Sequence, residues 1–236
     1  MSLRLAVGAL ALSAATAGYG LDGKDVAQVN THCGTAPDKI QCMRQEEATA
    51  LTALPGAASR NGLKLVIQTH AGPILFTDRP EAGDQMLAHI YRGQLGSTGY
   101  HLVERLSWEG FDYVLVSGLN GSRTSLPEVP YLSKSGKRAL TIRATEEDDS
   151  SEIAIWSIKP ERIAREFRLS TAGDSFYYFL FWESDLAVRL EHRAFSDPHR
   201  CPKTTYMVVN EELKFVDGKW TRSQEFPDPP ICVNEL

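Results

Sequence analysis

Residues 111–144, FDYVLVSGLNGSRTSLPEVPYLSKSGKRALTIRA, carry the reading from which the fold follows. Phe111, Tyr113, Val114, Leu115 and Val116 are apolar and mostly aromatic or β-branched, which suits a pleated, half-buried surface. Asn120-Gly121 supplies the positive φ that a tight reversal needs, since Gly has no Cβ to clash. Pro127 and Pro130 have no ladder N–H, so their segment belongs at an edge or between strands. Ser133-Lys134-Ser135-Gly136-Lys137-Arg138 reads as a second turn, and it opens into the alternating run Arg138-Ala139-Leu140-Thr141-Ile142-Arg143. The stretch predicts one antiparallel β-meander.

The same grammar extends in both directions. Upstream, residues 63–69 and 74–77 flank Ala71-Gly72-Pro73 as a hairpin, and residues 87–95 and 100–108 flank Gly96-Ser97-Thr98-Gly99. Downstream, residues 153–158 and 162–169 flank Lys159-Pro160-Glu161, with helix as the rival reading of the second arm. Residues 176–182 (FYYFLFW) lead into 186–191, and residues 204–209 and 213–220 form the last hairpin, turning at Asp217-Gly218. About ten to twelve short strands with short connections predict a mainly β, antiparallel meander, sandwich-like or partial-propeller-like. One helix precedes it within residues 24–54. Thr35 is read as its cap, Pro37 as its first turn and Asp38 as the capping-box partner. Ile40, Met43, Leu51 and Leu54 mark its apolar face, while Arg44, Gln45 and the Glu46-Glu47 pair are assigned to water.

The chain start bears on compartment. Residues 1–20 place Arg4 before an apolar run and end near Ala15-Thr16-Ala17, the pattern of a removable signal peptide. Its removal takes one positive charge, Arg4, from a formal net charge of −5 and leaves −6. The expected parts are this leader, a helical segment over residues 21–60 and a β domain over 61–236. The apolar run is shorter than the ~20 residues of a membrane span, so none is expected. Cys33, Cys42, Cys201 and Cys232 form an even set, which in an exported chain predicts disulfides. Three connectivities exist, and the favoured one joins the nearest pairs, Cys33–Cys42 and Cys201–Cys232. The expected location is periplasmic or secreted.

Chemistry-bearing motifs are sparse. Mixed acidic and basic residues without a basic stripe speak against nucleic acid as a partner. The six histidines, among them His70 and His101, lie outside any H-E-x-x-H spacing, and no G-x-S-x-G elbow occurs. Asp197-Pro198-His199 beside Cys201 reads as a turn next to a disulfide. Glu104 and Glu109, near Trp108, are the residues to consider as a glycosidase-like pair, which needs a defined separation across a cleft. No catalytic residue, metal ligand or cofactor is assigned. Glu146, Glu147, Asp148 and Asp149 offer carboxylates that calcium could use, but without the spacing of an EF-hand loop. They read as a solvated hairpin loop, and the alternative of an acidic contact surface for a basic partner places them in the expected partner-binding set. Asn120 and Arg123 in a polar loop, with Tyr177 and Tyr178 on opposite faces of an aromatic strand, complete the expected partner-binding set.

Residues 130–140, PYLSKSGKRAL, resemble the S-P-D-G-K-R turn of TolB-type β-propeller blades, with Lys134 and Ser135 standing where that turn has Pro and Asp. Phe181-Trp182-Glu183-Ser184-Asp185-Leu186 is a second echo. Two echoes are fewer than a complete propeller needs. A disulfide-bearing, partial-propeller-like exported protein is similar to the periplasmic lysozyme-inhibitor-like family and its immunity proteins. That resemblance, over residues 63–193, implies an inhibitor that blocks a peptidoglycan-degrading enzyme or toxin by loop insertion. The alternatives are an envelope scaffold or assembly protein with propeller-like blades, or a cell-wall-acting hydrolase.

Overall fold

The computed structural model describes residues 33, 35–36, 38–145, 150–171, 175–196, 199–201 and 204–234. The leader, His32, the acidic run 146–149, Asp197 and Pro198 lie outside them. Helix α1 (Lys39–Ala53) comes first, and four antiparallel sheets follow in chain order. Sheet I holds β1 (Ala58–Asn61), β2 (Lys64–Ile67) and β3 (Ile74–Thr77). Sheet II holds β4 (Leu87–Gln94), β5 (Tyr100–Ser107), β6 (Gly110–Ser117) and β7 (Arg123–Leu126). Sheet III holds β8 (Tyr131–Leu132), β9 (Arg138–Thr145), β10 (Ser150–Lys159) and β11 (Arg162–Thr171). Sheet IV holds β12 (Phe176–Ser184), β13 (Ala187–Phe195), β14 (Tyr206–Val216) and β15 (Lys219–Glu225), and β16 (Cys232–Val233) pairs with β14.

The mainly β, antiparallel expectation is borne out, with corrections in detail. Residues 111–144 form two half-meanders instead of one. β6 and β7 close sheet II, β8 and β9 open sheet III, and the prolines at 127 and 130 sit in the crossing between them. A proline cannot donate to a ladder, so the chain leaves one sheet there and starts the next. The second arm expected after Pro160 is strand, and residues 210–212 continue β14 without a break. β1 begins inside the segment 21–60 expected to be helical and runs one residue past it. Its sequence, ASRN, has no strand character, and pairing with β2 decides its conformation.

The sheets stack face to face, each against its neighbours in sequence. Leu65, Ile67 and Phe76 of sheet I meet Tyr91, Val103 and Val116 of sheet II. Leu102, Tyr113 and Leu115 from the other face of sheet II meet Ala154, Trp156 and Ile158 of sheet III. Leu140, Ile153 and Ile155 of sheet III meet Val188, Leu190 and Leu213 of sheet IV. Period-2 alternation places these residues on the packed faces. The long edge strand β11 keeps Phe167 and Leu169 inward and exposes Arg162, Arg165 and Arg168, charges that discourage pairing with another chain.

Helix α1 runs along the edge strand β4 and seals it with charge. The N-cap is Asp38, whose side chain accepts from the Gln41 N–H at 2.9 Å, and not the expected Thr35. Met43 packs with Ala88, Ile90 and Leu106. The larger correction is Glu47, which is 1% exposed and not solvated. Its carboxylate accepts from the Tyr91 N–H (2.7 Å), from Arg60 (2.5 and 2.8 Å) and from Arg44 (2.9 Å). Asp78, also buried, accepts from the His89 N–H (2.9 Å) and from Arg60 (3.0 Å), and pairs with Arg44. Arg60 donates to the His89 carbonyl at 2.5 Å, and Leu87 exchanges backbone bonds with Arg79. The outward-facing backbone groups of an edge strand must find partners, and here two carboxylates and a guanidinium provide them. Glu46 reaches Arg92 (3.1 Å), which also holds the buried Glu104 at 2.5 and 2.8 Å.

Both disulfides of the favoured connectivity are present. Cys33–Cys42 anchors the chain ahead of α1, and Cys201–Cys232 ties β16 and the proline-rich tail to sheet IV, each with Cα atoms 5.7 Å apart.

Candidate functional site

Alternation through the meanders sends seven hairpin turns to one end of the stack: β2–β3, β4–β5, β6–β7, β8–β9, β10–β11, β12–β13 and β14–β15. Hydrogen bonds between turns of different hairpins join the β2–β3, β4–β5, β6–β7 and β10–β11 turns into one face. The His70 N–H donates to Gly118 O (2.8 Å) and the Gly118 N–H donates to Gly99 O (2.9 Å). The Tyr100 hydroxyl donates to Lys159 O (2.7 Å) and the Ser117 hydroxyl to Pro160 O (3.0 Å). Farther along, the Ser135 hydroxyl donates to Asp185 at 2.5 Å, so the two stretches that carry the propeller resemblance touch each other.

Glycine makes the closest approaches feasible. A Cβ on Gly118 would stand 2.8 Å from Gly99 O, and one on Gly121 (φ +71°) 2.8 Å from the Ile74 side chain. A side chain at Gly118 would push its turn away from the Gly99 backbone, and one at Gly121 would be disfavoured by the left-handed φ.

Between the first three sheets this turn face sinks into an open recess of about 410 Å³. Sheet I gives Gln68, Thr69 and His70, and sheet II gives Gln94, Thr98 and His101. Leu119, Pro160 and glycine backbone form the apolar part of the wall. Thr69 and Thr98 donate their hydroxyl protons within their own turns, to Gly72 O and Leu95 O. Among the described residues the side-chain amides of Gln68 and Gln94 make no such bond. The His101 ring is buried and its Nδ1 lies 3.0 Å from the Tyr91 hydroxyl, while Nε2 lies beside Gly118. Burial pushes the His101 imidazole below its usual value, so the ring is neutral at pH 7, and burial pushes the Tyr91 phenol upward. The His101 ring can accept and donate hydrogen bonds without presenting charge.

The residues expected to bind a partner are scattered. Asn120 is in the turn face and spans turns, donating to Glu161 O (2.9 Å) and accepting from the Ser122 N–H (2.9 Å). Arg123 lies over the Phe76 ring, 4.7 Å from its centroid. Tyr177 is buried. It stacks on His192 at 4.4 Å, its hydroxyl accepts from Arg222 (2.9 Å), and burial together with Glu211 pushes its pKa up to about 12. Tyr178 is 43% exposed beneath the Arg193 guanidinium, and is the tyrosine of the pair that offers surface. Glu146, Glu147, Asp148 and Asp149 lie outside the described residues. Glu104 is buried in its pair with Arg92, whereas Glu109 is exposed in the β5–β6 turn, so the two carboxylates face no common cleft. The Cys33 and Cys42 sulfurs lie near Glu46, but they are bonded to each other and supply no thiolate.

The recess escaped the sequence because its walls come from three sheets, with Gln68 and Pro160 far apart in the chain. The signal that could have found it is the glycine content of the turns, Gly96 and Gly99 in one and Gly118 and Gly121 in another. No protein-family model, curated protein or solved structure matches the chain.

Proposed function

We propose that this chain is a non-catalytic binding protein that works outside the cytosol and holds another macromolecule with its turn face. The observation that carries the reading is the stitching of the turns. Recognition loops held by one another's backbones lose little freedom on binding, so less of the interaction is spent on ordering them. Two disulfides suit an oxidising compartment. The partner class we propose is a peptidoglycan-degrading enzyme or toxin, which the chain blocks as an inhibitor or immunity protein. The acidic net charge supports long-range attraction to a basic enzyme.

The test is a lysis assay in which the purified mature chain is mixed with a panel of peptidoglycan hydrolases. Inhibition at near-equal molar ratio is expected, weakening with added salt, and Leu119→Arg in the turn face should relieve it. Undiminished lysis at molar excess, together with no complex on size-exclusion chromatography, would remove the proposal. One observation favours the scaffold reading: Tyr178, Leu180 and Phe181 expose apolar surface on the edge strand β12. Self-association that Phe181→Glu abolishes would point there instead.

A further inference from the structure

We infer that the recess of the turn face is a binding site for a neutral saccharide of about one or two rings, built from the same turns as the proposed macromolecular contact but tested by small-sugar binding alone. Among the described residues no Asp, Glu, Lys or Arg lines the recess. An ion entering it would shed water without meeting an opposite charge, and that transfer is unfavourable. A wholly apolar ligand would leave the Gln94 amide unpaired as it covered it. A sugar hydroxyl both donates and accepts, so it satisfies an amide, or an imidazole in either tautomer. Gln68, Gln94, His70 and His101 Nε2 present such groups from two sheets, while Leu119 and Pro160 offer carbon surface to the C–H face of a ring.

Peptide is the competing occupant, and the backbone argues against it. Extended peptides bind by adding their main chain to an open strand edge. Around the recess those groups are already engaged with one another: His70 N–H with Gly118 O, Gly118 N–H with Gly99 O, and the Lys159 and Pro160 carbonyls with the hydroxyls of Tyr100 and Ser117. What remains are side-chain groups in a volume of about 410 Å³, within the range of small-ligand sites.

The experiment titrates the folded chain with two neutral disaccharides, cellobiose and diacetylchitobiose, by calorimetry and by NMR. Saturable binding of at least one, with a dissociation constant on the order of 1 mM or tighter, is expected. Gln94→Ala should weaken it by about fivefold, the worth of one neutral hydrogen bond. Gln68→Trp, at an exposed position on the rim, should abolish it while near-UV circular dichroism reports an intact fold. The inference is overturned if neither sugar saturates at concentrations on the order of 10 mM, if binding survives both substitutions, or if a short neutral peptide binds where the sugars do not.

Discussion

Glu47→Ala tests the most consequential departure from a surface reading of helix α1. Glu47 is 1% exposed and its two oxygens serve Tyr91 N–H, Arg60 and Arg44. Truncation leaves the Tyr91 N–H buried without its acceptor, which costs about 1–3 kcal/mol. It also leaves Arg60, whose side chain is 12% exposed, with Asp78 as its only remaining carboxylate among the described residues. Breaking a buried charged pair from one side typically costs about 3–5 kcal/mol, and that is the destabilisation expected here. The control is Glu46→Ala one residue earlier. Glu46 is more exposed, and its partner Arg92 keeps Glu104, so a loss of at most about 1 kcal/mol is expected. Urea unfolding of both variants at pH 7, analysed at constant m-value, gives the two numbers. Equal losses, or a Glu47→Ala loss below about 1 kcal/mol, would refute the reasoning and return Glu47 to the solvated face.

Two further predictions concern pH and redox state. Burial, opposed by Arg143 and reinforced by Glu104, raises the Glu128 pKa from the ordinary carboxylate range to about 7. A carboxyl with a raised folded pKa binds its proton more tightly in the native state, so stability falls as pH rises from the unfolded pKa to about 7 and levels off above it. Glu128→Gln should flatten that slope in unfolding curves taken across the interval, and a slope that persists unchanged assigns it elsewhere. Thiol titration of the unfolded, unreduced protein should find no reactive sulfur. Removing the Cys201–Cys232 bridge, with a sequence separation of 31, should cost about 3.5 kcal/mol, and removing Cys33–Cys42, with a separation of 9, about 2.5 kcal/mol. The reverse order would show that native-state strain outweighs chain entropy.

Strands and turns were legible because their signals are local. Asn120-Gly121, Lys159-Pro160 and Asp217-Gly218 each mark a reversal that the structure contains, whereas alternation does not tell inward from outward along β9 and β10, whose two faces are both packed. Helix α1 misled because helical periodicity places side chains relative to the helix axis and not relative to a neighbour. Its charged residues face β4, an edge whose backbone groups want ionic partners, so Glu47 reads as exposed and is buried. β1 had no signal of its own. The candidate site was the least legible, since the two glutamines, two histidines and a proline that shape it carry no motif and come together only through stacking.

That stacking has a mechanical corollary. Every core cluster that joins sheets couples consecutive ones, and among the described residues none joins sheet I to sheet IV. Cooperativity in such an array is handed along like a row of dominoes, and damage at one contact reaches distant parts only through the members between. Sheet IV, bound on one side and stapled by its own disulfide, should therefore open at lower denaturant than sheet II, which is clasped from both sides, and native-state hydrogen exchange would resolve the two as separate units.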